Sequence, residues 1–181
     1  MRDKIFEAFL VQQFAEGLDL ARSSDVLKLI PMPGGDPPSR YIAHFKGRKG
    51  LVRDDRGDIV EFDHFAVGIW FPDDYLRAAD PFVVVTWLQP SEIFHPNICS
   101  GAPVICLGHL APGTPLVDIL YRCFEIITYA RVTMQEHDAL NKEACAWARR
   151  NQHRFPVDRR PLKRHAPDVE AMDFDVLEVT P

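Results

Sequence analysis

The stretch Ser91-Glu92-Ile93-Phe94-His95-Pro96-Asn97-Ile98-Cys99-Ser100-Gly101-Ala102-Pro103-Val104-Ile105-Cys106-Leu107 holds the residues of this chain best suited to chemistry. It offers a thiol, Cys106, in a turn-rich segment with His95 and Asn97 upstream. A cysteine on a loop carried by a rigid scaffold is a candidate nucleophile, because substrate can reach it. An asparagine amide can donate to a developing oxyanion, which is the donor acyl transfer requires. Most single cysteines are buried, inert small hydrophobes, and spacing alone favours that plainer reading. His95, Cys99, Cys106 and His109 also form a Cys/His set within fifteen positions. Their spacing matches neither the C-x-x-C nor the H-x3–5-H pairing of zinc sites. The deaminase signature is missing too, since Pro103 precedes no C-x-x-C and no H-x-E stands upstream.

The elements that must position this segment follow from periodicity. The 181 residues fit one domain with a tail, and the 46% hydrophobic share suffices for a core. A formal charge of -5 argues against nucleic acid as the main partner. No apolar run is long enough to span a bilayer, and Met1 to Glu7 lacks the apolar centre of a secretory signal. Four irregularly spaced cysteines read as free thiols in a reducing cytoplasm. Residues 3–22 read as an amphipathic helix with Phe6, Leu10, Phe14 and Leu18 at four-residue spacing, widened by Ile5 and Phe9. Strand-like runs follow at Val26–Ile30, Tyr41–Phe45, Phe65–Phe71 and Phe82–Leu88, with Gly47 to Gly57 as a loop or irregular hairpin. Short strands with little helix between them predict an antiparallel meander. Residues 89–115 hold five prolines and no long periodic element, a length of irregular chain that a compact domain keeps for function. From Leu116, the positions Ile119, Leu120, Cys123, Phe124 and Ile127 share one helical face, and a second helix begins at the cap residue Asn141 and runs to about Asn151. The expected boundaries are a domain over 1–154 and a charged, proline-containing tail over 155–181. Its basic cluster Arg159, Arg160, Lys163 and Arg164 precedes an acidic stretch from Asp168 to Glu178. Cys123 and Cys145 read as packed, and Cys99 as a spectator thiol. Trp70 and Trp87 read as core or sheet-face residues, and His44, His64, His153 and His165 as isolated surface residues.

Ile93-Phe94-His95-Pro96-Asn97-Ile98, then Gly101, then Ile105-Cys106-Leu107, resembles the active-site signature of ubiquitin-conjugating enzymes. Phe71-Pro72-Asp73-Asp74-Tyr75 resembles the family's strand-to-loop turn, and Asp138-Ala139-Leu140-Asn141-Lys142-Glu143-Ala144 its Asp-Pro-Leu-Asn-Pro-Glu-Ala stretch. The likeness covers residues 65–151 and reaches the N-terminal helix by pattern only. It implies an α+β fold with an N-terminal helix, a four-stranded antiparallel meander and C-terminal helices. It further implies a cysteine-thioester acyltransferase: Cys106 receives a ubiquitin-like protein from an activating enzyme and passes it to a target amine. By resemblance Asn97 stabilises the oxyanion or holds the shielding loop, Asp138 orients the amine, and His95 with Pro96 is structural. No cofactor is implied, because the activating enzyme spends the ATP. The exposed face of the N-terminal helix would contact that enzyme.

The chain departs from the family pattern at three places. One extra residue, with Pro103 in the loop, lies between Asn97 and Cys106. Gly108-His109-Leu110-Ala111-Pro112 stands where the family has a Trp-Ser-Pro element. Leu76-Arg77-Ala78-Ala79-Asp80 stands where it has Pro and Phe. The last two loops form the family's docking surface for RING-type ligases, so recognition of a conventional one is doubtful. This divergence resembles bacterial relatives in compact ubiquitin-like conjugation operons, some linked to antiviral defence. The alternative is a non-catalytic module of the same fold that only binds a ubiquitin-like protein; Cys106 in its sequence context argues for catalysis.

Overall fold

A computed structural model describes residues 3–157 and 160–164. Helix α1 (Lys4–Arg22) is followed by strands β1 (Leu27–Pro31), β2 (Arg40–Arg53) and β3 (Ile59–Trp70), a single helical turn α2 (Pro81–Val84) and strand β4 (Val85–Gln89). Helices α3 (Leu116–Ile127) and α4 (Lys142–Arg150) follow, and a short 3-10 turn (Gln152–Arg154) ends the order. The strands form one antiparallel sheet in the order β1-β2-β3-β4, with Leu29 opposite Ala43, Phe45 opposite Phe65, and Val67 opposite Trp87. Tyr41, Ala43, Phe45, Phe65, Val67, Ile69, Val85 and Trp87 alternate onto the inner face and meet α1 and α3. Each large apolar side chain so buried stabilises by about 1.5–3 kcal/mol before entropy is counted.

The hairpin between β2 and β3 extends well beyond the short strands read from sequence. Arg53 pairs with Ile59 across an Asp54–Asp58 turn, and a register shift between Lys46 and Gly50 hides the alternation there. At β4 the β-branched run misleads in the other direction. Asp80 caps Phe82 N–H and Pro81 starts a helical turn, so Phe82 and Val83 are exposed and the strand begins at Val85.

Helix α1 buries Phe6, Leu10, Gln13, Gly17 and Leu20, a stripe of period near 3.5 that leaves Ile5 to solvent. The polar member has a partner: Gln13 Oε1 accepts from Leu116 N at 2.7 Å. Pro115 at the N-cap of α3 makes no side-chain cap bond, so Gln13 supplies one from another helix. Gly17 sets the distance, since a Cβ there would stand 2.7 Å from Leu116 Cδ2 and 2.9 Å from Leu29 Cδ2. The expected face of α3 is inside, and burial pushes the Cys123 thiol up to about 12. Cys145 is buried on α4, whose first turn Asn141 caps by accepting from Ala144 N at 2.9 Å.

His44 and His64 are not isolated. They meet on the outer sheet face with their ring nitrogens 3.4 Å apart, because Lys46 lies opposite His64 and brings the two strands' outer positions into register. Burial first, then the charges of His64, Lys46 and Lys28, hold the His44 imidazole below its ordinary range. Trp70 lies on the same face under the Arg40 guanidinium, whereas Trp87 points into the core.

Residues 160–164 cross the end of α1. Arg164 N donates to Ser23 O at 2.8 Å, Lys163 pairs with Asp19 and Arg164 with Asp25. Leu162, just before them, is 1% exposed and joins the main core. Arg159 and the acidic stretch from Asp168 to Glu178 lie outside the described residues. Leu162→Ala is expected to cost about 2–4 kcal/mol. That loss would lower the thermal midpoint by roughly 5–12 °C, and an unchanged midpoint would mean that this segment does not hold the domain together.

Candidate active site

Two strand edges hold the irregular segment before and after its turn. At its start, Arg53 N donates to Glu92 O at 2.8 Å and Phe94 N to Leu51 O at 2.9 Å, so residues 92–94 extend the far end of β2. At its tip, Trp87 N donates to Pro103 O at 3.0 Å and Thr86 bridges Val104, which covers the free edge of β4. Between these points residues 97–106 fold back as a narrow hairpin. Ile98 bridges Ile105, Cys99 N donates to Val104 O at 2.9 Å, and Cys106 N to Asn97 O at 2.8 Å. Ile98, Ile105 and Leu107 are buried in the core. Side chains alternate across such a pair, so Asn97, Cys99 and Cys106 share its opposite face. The extra residue of the sequence is taken up in the hairpin tip, and Asn97 remains directly across from Cys106. The Cys106 side chain is half-buried, as is that of Cys99.

Asn97 is held at both side-chain atoms. Its Nδ2 donates to Cys106 O at 3.3 Å, and its Oδ1 accepts from Thr133 N at 2.8 Å. Pro96 contributes its carbonyl, which accepts from Leu140 N at 2.9 Å and Asn141 N at 3.2 Å. The connection between α3 and α4 is therefore pinned near both ends to the His95–Asn97 turn. Asp138 sits on that connection, exposed, with its Oδ2 3.4 Å from His137 Nε2. Neighbouring Glu136 pairs with Arg149 of α4, and Glu143 pairs with Arg53 of β2.

His95 is fully buried. Its Nδ1 accepts from Asn97 N at 3.0 Å, which assigns the ring proton to Nε2. Its ring packs edge-to-face on Tyr129 with centroids 4.4 Å apart. Burial without a compensating charge drives its pKa down to about 3, so the ring is neutral at physiological pH. Tyr129 ends α3 in the left-handed region at φ 58°, and its hydroxyl donates to Phe94 O. That conformation costs a non-glycine residue about 1–3 kcal/mol, and burial of the ring on His95, Phe94 and Phe155 offsets it.

Past Cys106, Gly108 takes φ 77° and Arg122 Nη1 donates to His109 O at 2.6 Å. Sequence reasoning singled out His95, Pro96, Asn97, Cys106 and Asp138 but not Tyr129, Thr133, Arg122 or Arg131, which α3 and the chain after it bring close to this segment. Nothing in their local spacing marks them, since each acts across 13 or more residues of chain or through its backbone. Among the described residues no three His, Cys, Asp or Glu side chains cluster closely enough to hold a metal ion, and none of the helices is long and apolar enough to cross a membrane.

No family model and no curated protein sequence matches the chain. Solved structures do. One described as a novel ubiquitin-conjugating enzyme superposes with a TM-score of 0.55 at 15% identity, over 82% of this chain and 88% of that one. The E2 domain of a Toxoplasma gondii ubiquitin conjugating enzyme superposes with a TM-score of 0.53 at 22% identity, over 82% and 90%. The chain has the fold of these ubiquitin-conjugating enzyme domains.

The buried histidine gives a pH signature. Its folded pKa lies below the unfolded 6.5, so between about pH 6.5 and 3 the unfolded chain takes up a proton that the fold refuses. Stability is full above that window and falls as pH falls through it. Between pH 7 and 5 the His95 contribution should fall by about 2 kcal/mol. His95→Asn, whose amide oxygen can still accept from Asn97 N, should remove that part of the pH slope in denaturant titrations; an unchanged slope would contradict the buried neutral ring.

Proposed function

We propose that this chain is a carrier enzyme that accepts a ubiquitin-like protein from an activating enzyme as a thioester on Cys106 and transfers it to a target amine. The observation that carries this reading is the hairpin in which Asn97 lies opposite a half-buried thiol, with the Asp138 loop pinned beside it, in the fold of ubiquitin-conjugating enzyme domains.

The chemistry is two acyl transfers. In the first, the Cys106 thiolate attacks the carbonyl of the incoming thioester, and the activating enzyme's thiolate leaves. In the second, an amine nitrogen attacks the new thioester, its proton is lost, and the C–S bond breaks with its electron pair returning to Cys106. Both steps exchange one acyl bond for another, so no cofactor is required at this site. Asp138 is exposed and can meet an amine arriving from solvent, orienting it and drawing off its proton. Asn97 serves by holding the hairpin to the α3–α4 connection, and His95 with Pro96 braces that turn. A buried neutral imidazole whose Nδ1 is already engaged has no path for proton exchange with an acceptor.

Two loops bear on the ligase. Tyr75 Oη donates to Thr114 O at 2.8 Å, which ties residues 72–80 to residues 108–115. The joined surface exposes Arg77, Ala78, His109, Ala111 and Pro112, with no aromatic anchor among them. This supports a pathway without a conventional RING-type ligase. We place it in the cytoplasm, in a compact bacterial antiviral conjugation system.

The test is a non-reducing gel after incubation with the activating enzyme, the ubiquitin-like protein and ATP. A thiol-sensitive adduct that is lost in Cys106→Ala is expected. Asp138→Asn should charge normally and discharge to free lysine about tenfold more slowly. An active activating enzyme that leaves the folded protein uncharged would move the assignment to a non-catalytic module that binds the ubiquitin-like protein.

A further inference from the structure

Acyl transfer at Cys106 needs a donor for the negative oxygen that forms on the carbonyl carbon. The amide of Asn97 is partly committed: one Nδ2 hydrogen is donated to Cys106 O and Oδ1 accepts from Thr133 N, which leaves a single N–H for any oxyanion. A second candidate stands against Gly108, just past Cys106 in the chain. Arg131 lies four residues past the end of α3, anchored by its own N–H to Glu125 O at 3.0 Å. Its Nη2 is 3.1 Å from the position a Cβ would take on Gly108. Gly108 is two residues from Cys106, and two residues of chain span at most about 7 Å.

Three features make this contact more than chance proximity. Gly108 adopts φ 77°, a conformation a side chain would strain, and the lack of a Cβ leaves the guanidinium room to lie against the backbone. The neighbouring carbonyl, His109 O, is held separately by Arg122, so Arg131 is not needed there. Among the described residues the Arg131 guanidinium forms no hydrogen bond or ion pair, and the residue is exposed. Five N–H donors on a fixed planar charge are thus left open beside Gly108.

We infer that Arg131 supplies the positive charge and the N–H donors that stabilise the tetrahedral oxyanion at Cys106, beside the single N–H that the Asn97 amide has left. The inference rests on Cys106 being the acyl carrier. When a nucleophile adds to the carbonyl carbon, the π pair moves to oxygen, and the guanidinium faces that charge. As the carbonyl reforms, the C–S bond breaks and its pair returns to Cys106. No proton passes through Arg131, whose guanidinium stays charged throughout.

A small acyl donor tests this without any protein partner. p-Nitrophenyl acetate acylates a reactive thiol and releases p-nitrophenolate, and the rate in Cys106→Ala subtracts the contribution of Cys99. In the full chain, Arg131→Gln should slow Cys106 acylation and its later discharge to free lysine by about tenfold, less than the hundredfold or more for a buried oxyanion donor. Arg131→Lys, which keeps the charge, should recover most of the rate, and all three proteins should share one thermal midpoint. A purely structural role would instead move the midpoint and would not be rescued by lysine. Equal rates for wild type and Arg131→Gln, or no Cys106-dependent acylation in the wild type, would overturn the inference. Arg131-dependent acylation together with failure to charge with a ubiquitin-like protein would remove the carrier reading and leave the assignment of Arg131 standing.

Discussion

The reciprocal pairing of Asn97 with Cys106 is the constraint on which the site depends. Cys106 N donates to Asn97 O, and Asn97 Nδ2 donates back to Cys106 O, so the two residues are locked across one rung of a hairpin. With Ile98 and Ile105 of the next rung buried, the thiol is forced to the outer side of the hairpin. Sliding the register by one residue would turn Cys106 inward and Ile105 outward. The cost of exposing buried isoleucines, about 1.5–3 kcal/mol each, makes that slip unfavourable. A thiol is thereby presented to solvent by a hydrophobic argument, with no special property required of the cysteine.

The same asparagine connects the hairpin to the helices. Its Oδ1 holds Thr133, while Pro96 O holds Leu140 and Asn141. The connection between those contacts starts where Tyr129 turns left-handed at the end of α3 and finishes where Asn141 caps α4. Placing α3 correctly therefore places the loop that bears Arg131 and Asp138. That placement comes from α1, through Gln13 on the Leu116 amide and through the bare face of Gly17. A bulkier residue at 17 would push α3 outward and reach the neighbours of Cys106 indirectly. The residues of the site are few, and the chain of contacts that sets their positions runs from one end of the domain to the other.

Polarity is spent sparingly in this arrangement. His95 is neutral and buried between the turn and Tyr129, while the charged groups near the site, Arg131 and Asp138, stay at the surface, where desolvation costs little. The outer sheet face carries a separate mixture: His44 against His64, and Arg40 over Trp70.

The sequence by itself determined the helical faces, the four-stranded meander and the candidate thiol, Cys106. It could do so because these rest on local periodicity and on the contiguous run from His95 to Cys106. Asn141 as a cap and the buried face of α3 follow from the same local rules. Residues that act through the fold were beyond its reach. Gln13 looks like a surface residue on a helix until Leu116 supplies the amide it caps, and Tyr129 shows no sign of its left-handed turn. The β2–β3 hairpin grew past its expected ends because pairing with β3, and not alternation, keeps residues 50–53 extended. Phe82 and Val83 lost their expected strand because a proline and an aspartate cap beside them favour a helical turn over β propensity. Which cation stands against Gly108 was likewise settled in three dimensions. Arg131 is twenty-five residues from the thiol in sequence, and only the return of the chain at the end of α3 sets it against Gly108.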